Sequence, residues 1–346
     1  MMLSRLGLAA STAALFLTPT LALAAPQVVV SIKPVHSLVA AIMQGVGEPS
    51  LIVEGSASAH TYSLKPSNAR ALENADVVFW VGPGLEAFLE KPVDALAGKA
   101  KVVELEDAPG LVHLPFREGG AFEAHDHEGE GEHADADGHA DHDADAAHGE
   151  HAAEEQATDA HAGEAHDDHE HEHGGFDMHL WLDPMNAKAM AAEIESALVT
   201  ADPDNAGRYK ANGAALAAEI DALDKEIAAT VQPVVDKPFV VFHDAYQYFE
   251  SRYKVRVAGS ITVSPETVPG AERIAEIHGK VKELGAACVF AEPQFEPKLV
   301  SVVTEGSDAK AGTLDPEGGA LEAGPGLYPQ LMRNLAKSLT DCLSQS

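Results

Sequence analysis

The chain has little positive charge and, apart from its first residues, no long hydrophobic run. Its 346 residues include 23 Lys and Arg against 55 Asp and Glu, which gives a formal net charge of -32. Because an acidic protein repels phosphate, nucleic acid is excluded as a partner. No later stretch approaches the roughly 20 consecutive apolar residues of a membrane-spanning helix. We therefore expect no membrane span in the mature chain.

The apolar run at the start has the layout of a secretory signal peptide. Arg5 precedes a run from Leu6 to Leu17, and Ala22-Leu23-Ala24 follows as a small-x-small cleavage site. The run is too short for a membrane anchor. We predict that residues 1–24 are removed and that an exported chain begins at Ala25.

Cysteine is almost absent, and the two that occur, Cys288 and Cys342, do not form a CxxC motif. The spacing therefore gives no sign of thiol redox or cysteine-zinc chemistry. In an exported protein an even pair predicts one disulfide. It would close a loop of about 55 residues and contribute about 4 kcal/mol in the chain-entropy model. Two free buried thiols are the alternative.

Twelve of the eighteen histidines lie in one acidic segment that has no Lys, Arg, Val, Ile, Leu, Phe, Tyr or Trp. Without apolar side chains nothing offsets the entropy of ordering the backbone, so we predict a disordered loop over residues 121–175. Histidines two apart share a face of an extended chain and can chelate one ion. A solvated acidic run with incidental histidines is the alternative. The predicted auxiliary metal-binding residues are His125, His127, His133, His139, His142, His148, His151, His161, His166, His169, His171 and His173.

Short β-branched runs alternate with helical patterns on both sides of this loop, which predicts two α/β lobes with parallel sheets. Between them, Pro184 to Val231 reads as two helices interrupted at Asp202-Pro203. The second helix would exceed roughly 35 Å and could brace the two lobes; two ordinary surface helices within one domain are the alternative. The predicted limits are 25–203 for the first lobe, 204–231 for the connecting helix and 232–346 for the second lobe. The predicted strands are Gln27–Ile32, Ser50–Glu54, Val77–Val81, Lys101–Glu104, Phe239–His243, Val255–Ile261, Cys288–Ala291 and Ala311–Leu314.

Six histidines lie outside the acidic segment, and three of them have a context that suggests a shared site. His60 lies in a Gly-Ser-Ala-rich loop after a predicted strand, His179 precedes a predicted helix, and His243 ends the run Phe239-Val-Val-Phe-His. Loops at the carboxyl ends of parallel strands line the binding crevice of α/β proteins, so these three side chains could converge there.

Four local motifs occur in an informative order: His60-Thr-Tyr-Ser-Leu-Lys-Pro, His179-Leu-Trp-Leu-Asp-Pro, Phe242-His-Asp-Ala-Tyr and Thr313-Leu-Asp-Pro. Together with the histidine-rich insertion they resemble the metal-binding proteins of ABC importers, specifically the periplasmic zinc-binding ZnuA type. The resemblance covers essentially the whole mature chain. It implies two α/β lobes joined by one long rigid helix, with Zn2+ held in the cleft between the lobes and delivered to a membrane permease.

Carried over to this sequence, the resemblance places the metal ligands on His60, His179 and His243. For the fourth position it implies Asp315, where related proteins supply a carboxylate, or water; some zinc-binding members use an acid at the position of Ala59. Three imidazoles with one oxygen suit tetrahedral zinc better than manganese.

Two further residues are candidates for supporting these ligands. His36 follows the first predicted strand near the proposed cleft, where it could support a ligand. Glu292 ends a predicted strand and could orient a histidine, with a structural role in a turn as the alternative.

The sequence thus predicts a periplasmic, monomeric zinc-capture protein that is not an enzyme and docks on an ABC permease. Two alternatives belong to other classes. A zinc storage protein would rely on the histidine-rich loop. An exported zinc hydrolase would use the open position of a three-histidine site, but outside the histidine-rich loop there is no HExxH and no GxSxG motif.

Overall fold

Two four-stranded parallel sheets organise the computed structural model, which describes residues 25–117, 122, 175–262, 269–283, 285–295 and 298–345. Apart from residues 122 and 175, the predicted loop with its twelve histidines lies outside the described residues, as does the predicted signal peptide. The prediction of two parallel-sheet α/β lobes is confirmed. Among the helices of the described ranges, none is long and apolar enough to cross a bilayer.

The first lobe is built on a sheet whose strands are almost entirely buried. Val28, Val29 and Val30 are buried on both faces of the sheet, as are all residues of Val77–Trp80. Continuous apolar strands are typical of a parallel sheet covered by helices. The strands are β1 (Val28–Val30), β2 (Ser50–Leu51), β3 (Val77–Trp80) and β4 (Lys101–Glu104), in the order β2-β1-β3-β4. The helices are α1 (Lys33–Ile42), α2 (Pro66–Glu73), α3 (Ala87–Leu96) and α4 (Pro184–Ala201).

The second lobe repeats this plan around strand β5. Phe239 and Val241 point into the main core, while Val240 and Phe242 pack into a smaller cluster on the other face. This alternation is the period of two expected for a strand. The strands are β5 (Pro238–His243), β6 (Arg256–Thr262), β7 (Cys288–Ala291) and β8 (Lys310–Thr313), in the order β6-β5-β7-β8. The helices are α6 (Gln247–Tyr253), α7 (Ala271–Glu283), α8 (Lys298–Thr304) and α9 (Leu327–Leu343).

One long helix, α5 (Ala206–Val231), connects the lobes. Its 26 residues span about 39 Å at about 1.5 Å per residue. The predicted break before it is present, since α4 ends at Ala201 and Pro203 starts a short 3-10 turn. The Asp202 carboxylate stabilises this corner by accepting a hydrogen bond of 2.8 Å from the Tyr209 hydroxyl. Helix α5 packs against α1 and α4 of the first lobe and α9 of the second.

The two lobes share their main hydrophobic core, which runs from Val28 in β1 to Leu343 in α9. Polar contacts cross the junction as well. The Trp181 indole donates to the Pro316 carbonyl at 2.8 Å, and the Tyr328 hydroxyl donates to the Trp181 carbonyl at 2.9 Å. These contacts hold the lobes in one arrangement.

The predicted disulfide is confirmed. It joins Cys288 in β7 to Cys342 in α9, with a Cα–Cα distance of 6.3 Å. The bridge therefore ties the last helix to a central strand of the second sheet.

A buried carboxyl group, Glu86, closes the turn after β3. It is 0 % exposed, and its Oε2 accepts hydrogen bonds from the backbone N–H groups of Val81 and Gly82 at 2.9 and 3.0 Å. Burial raises the pKa of Glu86 to about 7, and the neighbouring Glu106 acts in the same direction. Removing the carboxylate from water disfavours its charged form.

Replacing Glu86 with Gln should therefore change how stability depends on pH. Between about pH 4.5 and 7 the folded wild-type protein binds a proton that the unfolded chain has released, so wild-type stability falls as pH rises through this window. Gln has no such proton. The free energy of unfolding of Glu86→Gln relative to wild type should rise with pH, by on the order of 3 kcal/mol in total.

Urea denaturation of metal-free protein at several pH values measures this difference. The same substitution at exposed Glu73 is the control and should give no such trend. A difference between Glu86→Gln and wild type that stays constant from pH 4.5 to 7 would contradict the assignment.

Candidate metal centre

Three histidine side chains converge at the junction of the two lobes. Nε2 of His179 lies 3.3 Å from Nε2 of His60 and 3.3 Å from Nε2 of His243. The three ligand atoms all lie within 4.8 Å of one another. His179 and His243 are buried, and His60 is half-buried. The structure thus brings together the three histidines that the sequence singled out.

The spacing of these nitrogens suits one tetrahedral metal ion. Bonds of about 2.0 to 2.1 Å at tetrahedral angles would separate two nitrogen ligands by about 3.3 to 3.4 Å. Both Nε2 distances to His179 are close to this value. The cluster could therefore hold an ion without a large rearrangement of its ligands.

Buried carboxylates fix the orientation of two of the three rings. The Nδ1–H of His179 donates to Oδ1 of Asp177 at 2.7 Å, and that of His243 donates to Oε1 of Glu292 at 2.8 Å. With the proton on Nδ1, the Nε2 lone pair faces the other rings. This carboxylate-histidine arrangement is the one that metal sites use to select the tautomer and to raise ligand basicity.

The local fold explains why these groups meet. β5 ends at His243, and β7, its parallel neighbour, ends one residue before Glu292. The carboxyl ends of parallel strands lie at the same edge of a sheet, so the ligand and its carboxylate emerge together. His60 comes from the loop after β2, where its backbone N–H donates to the Ser58 hydroxyl at 3.2 Å.

The electrostatics of the cluster differ from ring to ring. Burial lowers the pKa of His60 well below its ordinary value, and proximity to His179 and His243 adds to the effect. For His243 burial also acts to lower the pKa, but the charge and hydrogen bond of Glu292, together with the charges of Glu317 and Asp244, outweigh it and the pKa is raised. The His60 ring is therefore neutral and can act as a ligand near neutral pH.

The predicted fourth ligand, Asp315, lies outside the three-histidine group. Its Oδ1 accepts a hydrogen bond from the Gln294 side chain at 3.0 Å, and its Oδ2 accepts one from the Ala320 N–H at 3.2 Å. The carboxylate is thus oriented by its own lobe.

A second acidic residue near the site, Glu317, was not predicted from the sequence. It is buried, and its Oε1 accepts a hydrogen bond of 3.3 Å from the N–H of Ala59, the residue before His60. Burial raises the pKa of Glu317 to about 8, with Glu292 and Asp315 acting in the same direction. The only sequence signal was its place directly after the Thr313-Leu-Asp-Pro motif, two residues beyond Asp315.

The remaining described histidines lie in other surroundings. His36 places Nε2 3.0 Å from the Pro49 carbonyl oxygen, His113 stacks on Phe176, and His278 contacts the Glu305 carbonyl. None of these contacts involves a member of the cluster. Two residues were predicted to support the ligands. Glu292 contacts the cluster residue His243, whereas His36 contacts the Pro49 carbonyl oxygen instead.

Comparison with known proteins gives a consistent family. The family model described as zinc-uptake complex component A, periplasmic (ZnuA), matches residues 28–149 and 145–342. The high-affinity zinc uptake system protein ZnuA of Brucella suis biovar 1 is 58% identical over 318 residues, which is 92% of each chain. The protein of the same name from Paracoccus denitrificans is 43% identical over 319 residues, again 92% of each chain.

A solved structure shows the same fold. A crystal structure of ZnuA superposes with a TM-score of 0.69 at 24% sequence identity, covering 92% of this chain and 99% of the other. At this identity the likeness concerns the fold alone.

Replacing Glu292 with Gln should weaken zinc binding about 10-fold to 100-fold, because the His243 ring loses its charged partner. The amide keeps the size of the side chain and can still accept a hydrogen bond, so the loss reports the charge. Chelator competition on the purified variant measures the dissociation constant. Glu272→Gln, an exposed position in α7, is the control. Equal zinc affinity in both variants would show that Glu292 does not support the site.

Proposed function

We propose that this chain, which belongs to the ZnuA family of periplasmic zinc-uptake components, captures Zn2+ between its lobes and delivers it to the membrane permease of an ABC importer. The ligands are His60, His179 and His243. The observation that carries the proposal is the 3.3 Å distance from Nε2 of His179 to Nε2 of each of the other two rings, combined with the carboxylates that hold His179 and His243.

The chemistry of the ligands supports zinc as the substrate. Three neutral imidazoles with one oxygen form a common zinc site, whereas manganese favours more oxygen ligands. We assign the fourth position to an oxygen, supplied by Asp315 or by water. Copper binds imidazole more tightly than zinc in the Irving-Williams order, so selectivity depends on metal supply and on the permease as well as on this site.

The cellular setting follows from the family and the sequence. Residues 1–24 direct export and are removed, and the mature chain acts as a monomer in the periplasm. Zinc enters and leaves with little relative movement of the lobes, because they share a core and are joined by α5. Release then depends on docking to the permease.

We assign an auxiliary role to the histidine-rich residues 121–175. Their imidazoles alternate with acidic residues in the sequence, and we expect them to collect zinc more weakly than the cleft. The second candidate function is zinc storage by this segment alone. The observation in favour of this alternative is the density of its twelve histidines.

Removing residues 121–175 should leave one tight zinc site, with the weaker sites lost. In the shortened chain, replacing His60, His179 and His243 with Ala should abolish the tight site, because the three nitrogen ligands are gone. Zinc titration calorimetry measures both results. The double variant His113→Gln/His278→Gln, which alters histidines outside the cluster, is the matched control and should keep the site.

The same titration separates the two candidates. A shortened chain without any tight site would move the function to the histidine-rich segment. A tight site that survives the triple substitution would remove the three histidines as ligands.

A further inference from the structure

An ion pair, Arg117 with Asp244, connects the first lobe to the residue that follows a proposed zinc ligand. Arg117 lies at the end of a described stretch of the first lobe, and its guanidinium reaches into the second. Its Nε donates to Oδ2 of Asp244 at 3.1 Å, and its Nη2 donates to Oδ1 of the same carboxylate. A third contact runs from Nη1 to Glu250 in α6. Two-point contact of a guanidinium with a carboxylate fixes direction as well as distance.

The Arg117–Asp244 ion pair lies in a poorly hydrated place next to the proposed ligand His243. The side chain of Asp244 is 3 % exposed and that of Arg117 is 20 % exposed, so neither charge is freely hydrated. Asp244 directly follows His243, and the Ala245 N–H donates to the His243 carbonyl at 2.9 Å across this tight turn. The direction of the Asp244 side chain is thus linked to the backbone that carries the His243 ring.

The chain returns from the histidine-rich segment at the same place. Phe176 pairs with Pro115 in an antiparallel bridge, and the Tyr248 hydroxyl in α6 donates to the Asp177 carbonyl at 2.7 Å. The Asp177 carboxylate in turn holds His179. On one side of the insertion Arg117 therefore contacts Asp244, the residue after His243, and on the other side Asp177 contacts His179.

We propose that Arg117 is a positioning residue for zinc capture, which acts through Asp244 to hold the backbone and ring of His243 in the binding geometry. The inference rests on the proposed function, since it concerns the same site. On this proposal, Arg117, which precedes the histidine-rich segment in the first lobe, helps to hold the metal-binding cleft.

The sign of the effect separates positioning from simple electrostatics. Arg117 is a cation near a site for a cation, so its charge alone opposes zinc binding. If charge were its only influence, removing it would tighten binding. Loss of positioning would instead weaken binding. Without Arg117, the buried Asp244 carboxylate next to His243 loses its ion-pair partner, and the turn must rearrange.

The experiment uses the full mature chain and a zinc-buffering chelator that keeps free zinc low, so that only the tight site fills. Arg117→Met should raise the zinc dissociation constant about 10-fold. Arg117→Lys keeps the charge but cannot make the two-point contact, and it should also weaken binding. Glu250→Gln is the matched control: it removes a partner of the same guanidinium that is not adjacent to a ligand, and it should change the constant much less.

A double variant tests the route of the effect. If Arg117 acts through Asp244, adding Arg117→Met to Asp244→Asn should weaken binding little beyond Asp244→Asn alone. Purely structural damage would lower the melting temperature of metal-free Arg117→Met and Glu250→Gln by the same amount. The two variants would then have the same zinc dissociation constant.

Each outcome decides between the claims. Weaker binding in both Arg117 variants, with non-additivity at Asp244, supports the inference. Unchanged or tighter binding in Arg117→Met, or in Arg117→Lys should the Met variant not fold, overturns it while leaving zinc capture intact. A wild-type chain with no tight site would instead overturn the proposed function.

Discussion

The candidate site depends on two buried hydrogen bonds between imidazole and carboxylate. Asp177 and Glu292 accept the Nδ1 protons of His179 and His243, which directs both Nε2 lone pairs toward a common point. Without these acceptors each buried ring would be free to rotate or to change tautomer. The two negative charges also offset the charge of a divalent ion that would otherwise be costly to bury. The Asp177 and Glu292 carboxylates, which are not members of the histidine cluster, therefore orient its rings for metal binding.

A second constraint is the fixed relation of the lobes, since the histidines come from both. The buried Lys33 at the start of α1 illustrates it: its Nζ donates to the carbonyl oxygens of Gly319 and Leu321 in the second lobe at 2.9 and 2.8 Å. Burial lowers the pKa of Lys33, although nearby carboxylates oppose the shift. Together with the shared core, such contacts keep the three ring nitrogens at binding distance. If the proposed site binds zinc, these contacts hold its ligands in place beforehand, so that little free energy would be spent on closing a hinge.

Much of this fold could be predicted from the sequence because its elements have strong local signals. The valine-rich strands and the helix break at Pro203 are determined by side chains close in sequence. The disulfide follows from the oxidising compartment that an export signal predicts. Strand ends were less certain: the predicted strand Ser50–Glu54 is only Ser50–Leu51 in the structure. Pairing there is decided by the neighbouring strand, and a single sequence does not show it.

The site was predictable where motifs marked its histidines and obscure where single charged residues support it. Glu317 and Arg117 have no periodic pattern, and each has its role only through a partner distant in the chain. The most direct test of the account is a zinc-edge anomalous diffraction map of crystals loaded with one equivalent of zinc. We expect one peak within about 2.0 to 2.1 Å of Nε2 of His60, His179 and His243. A peak elsewhere, or bonded to fewer than all three rings, would contradict the account.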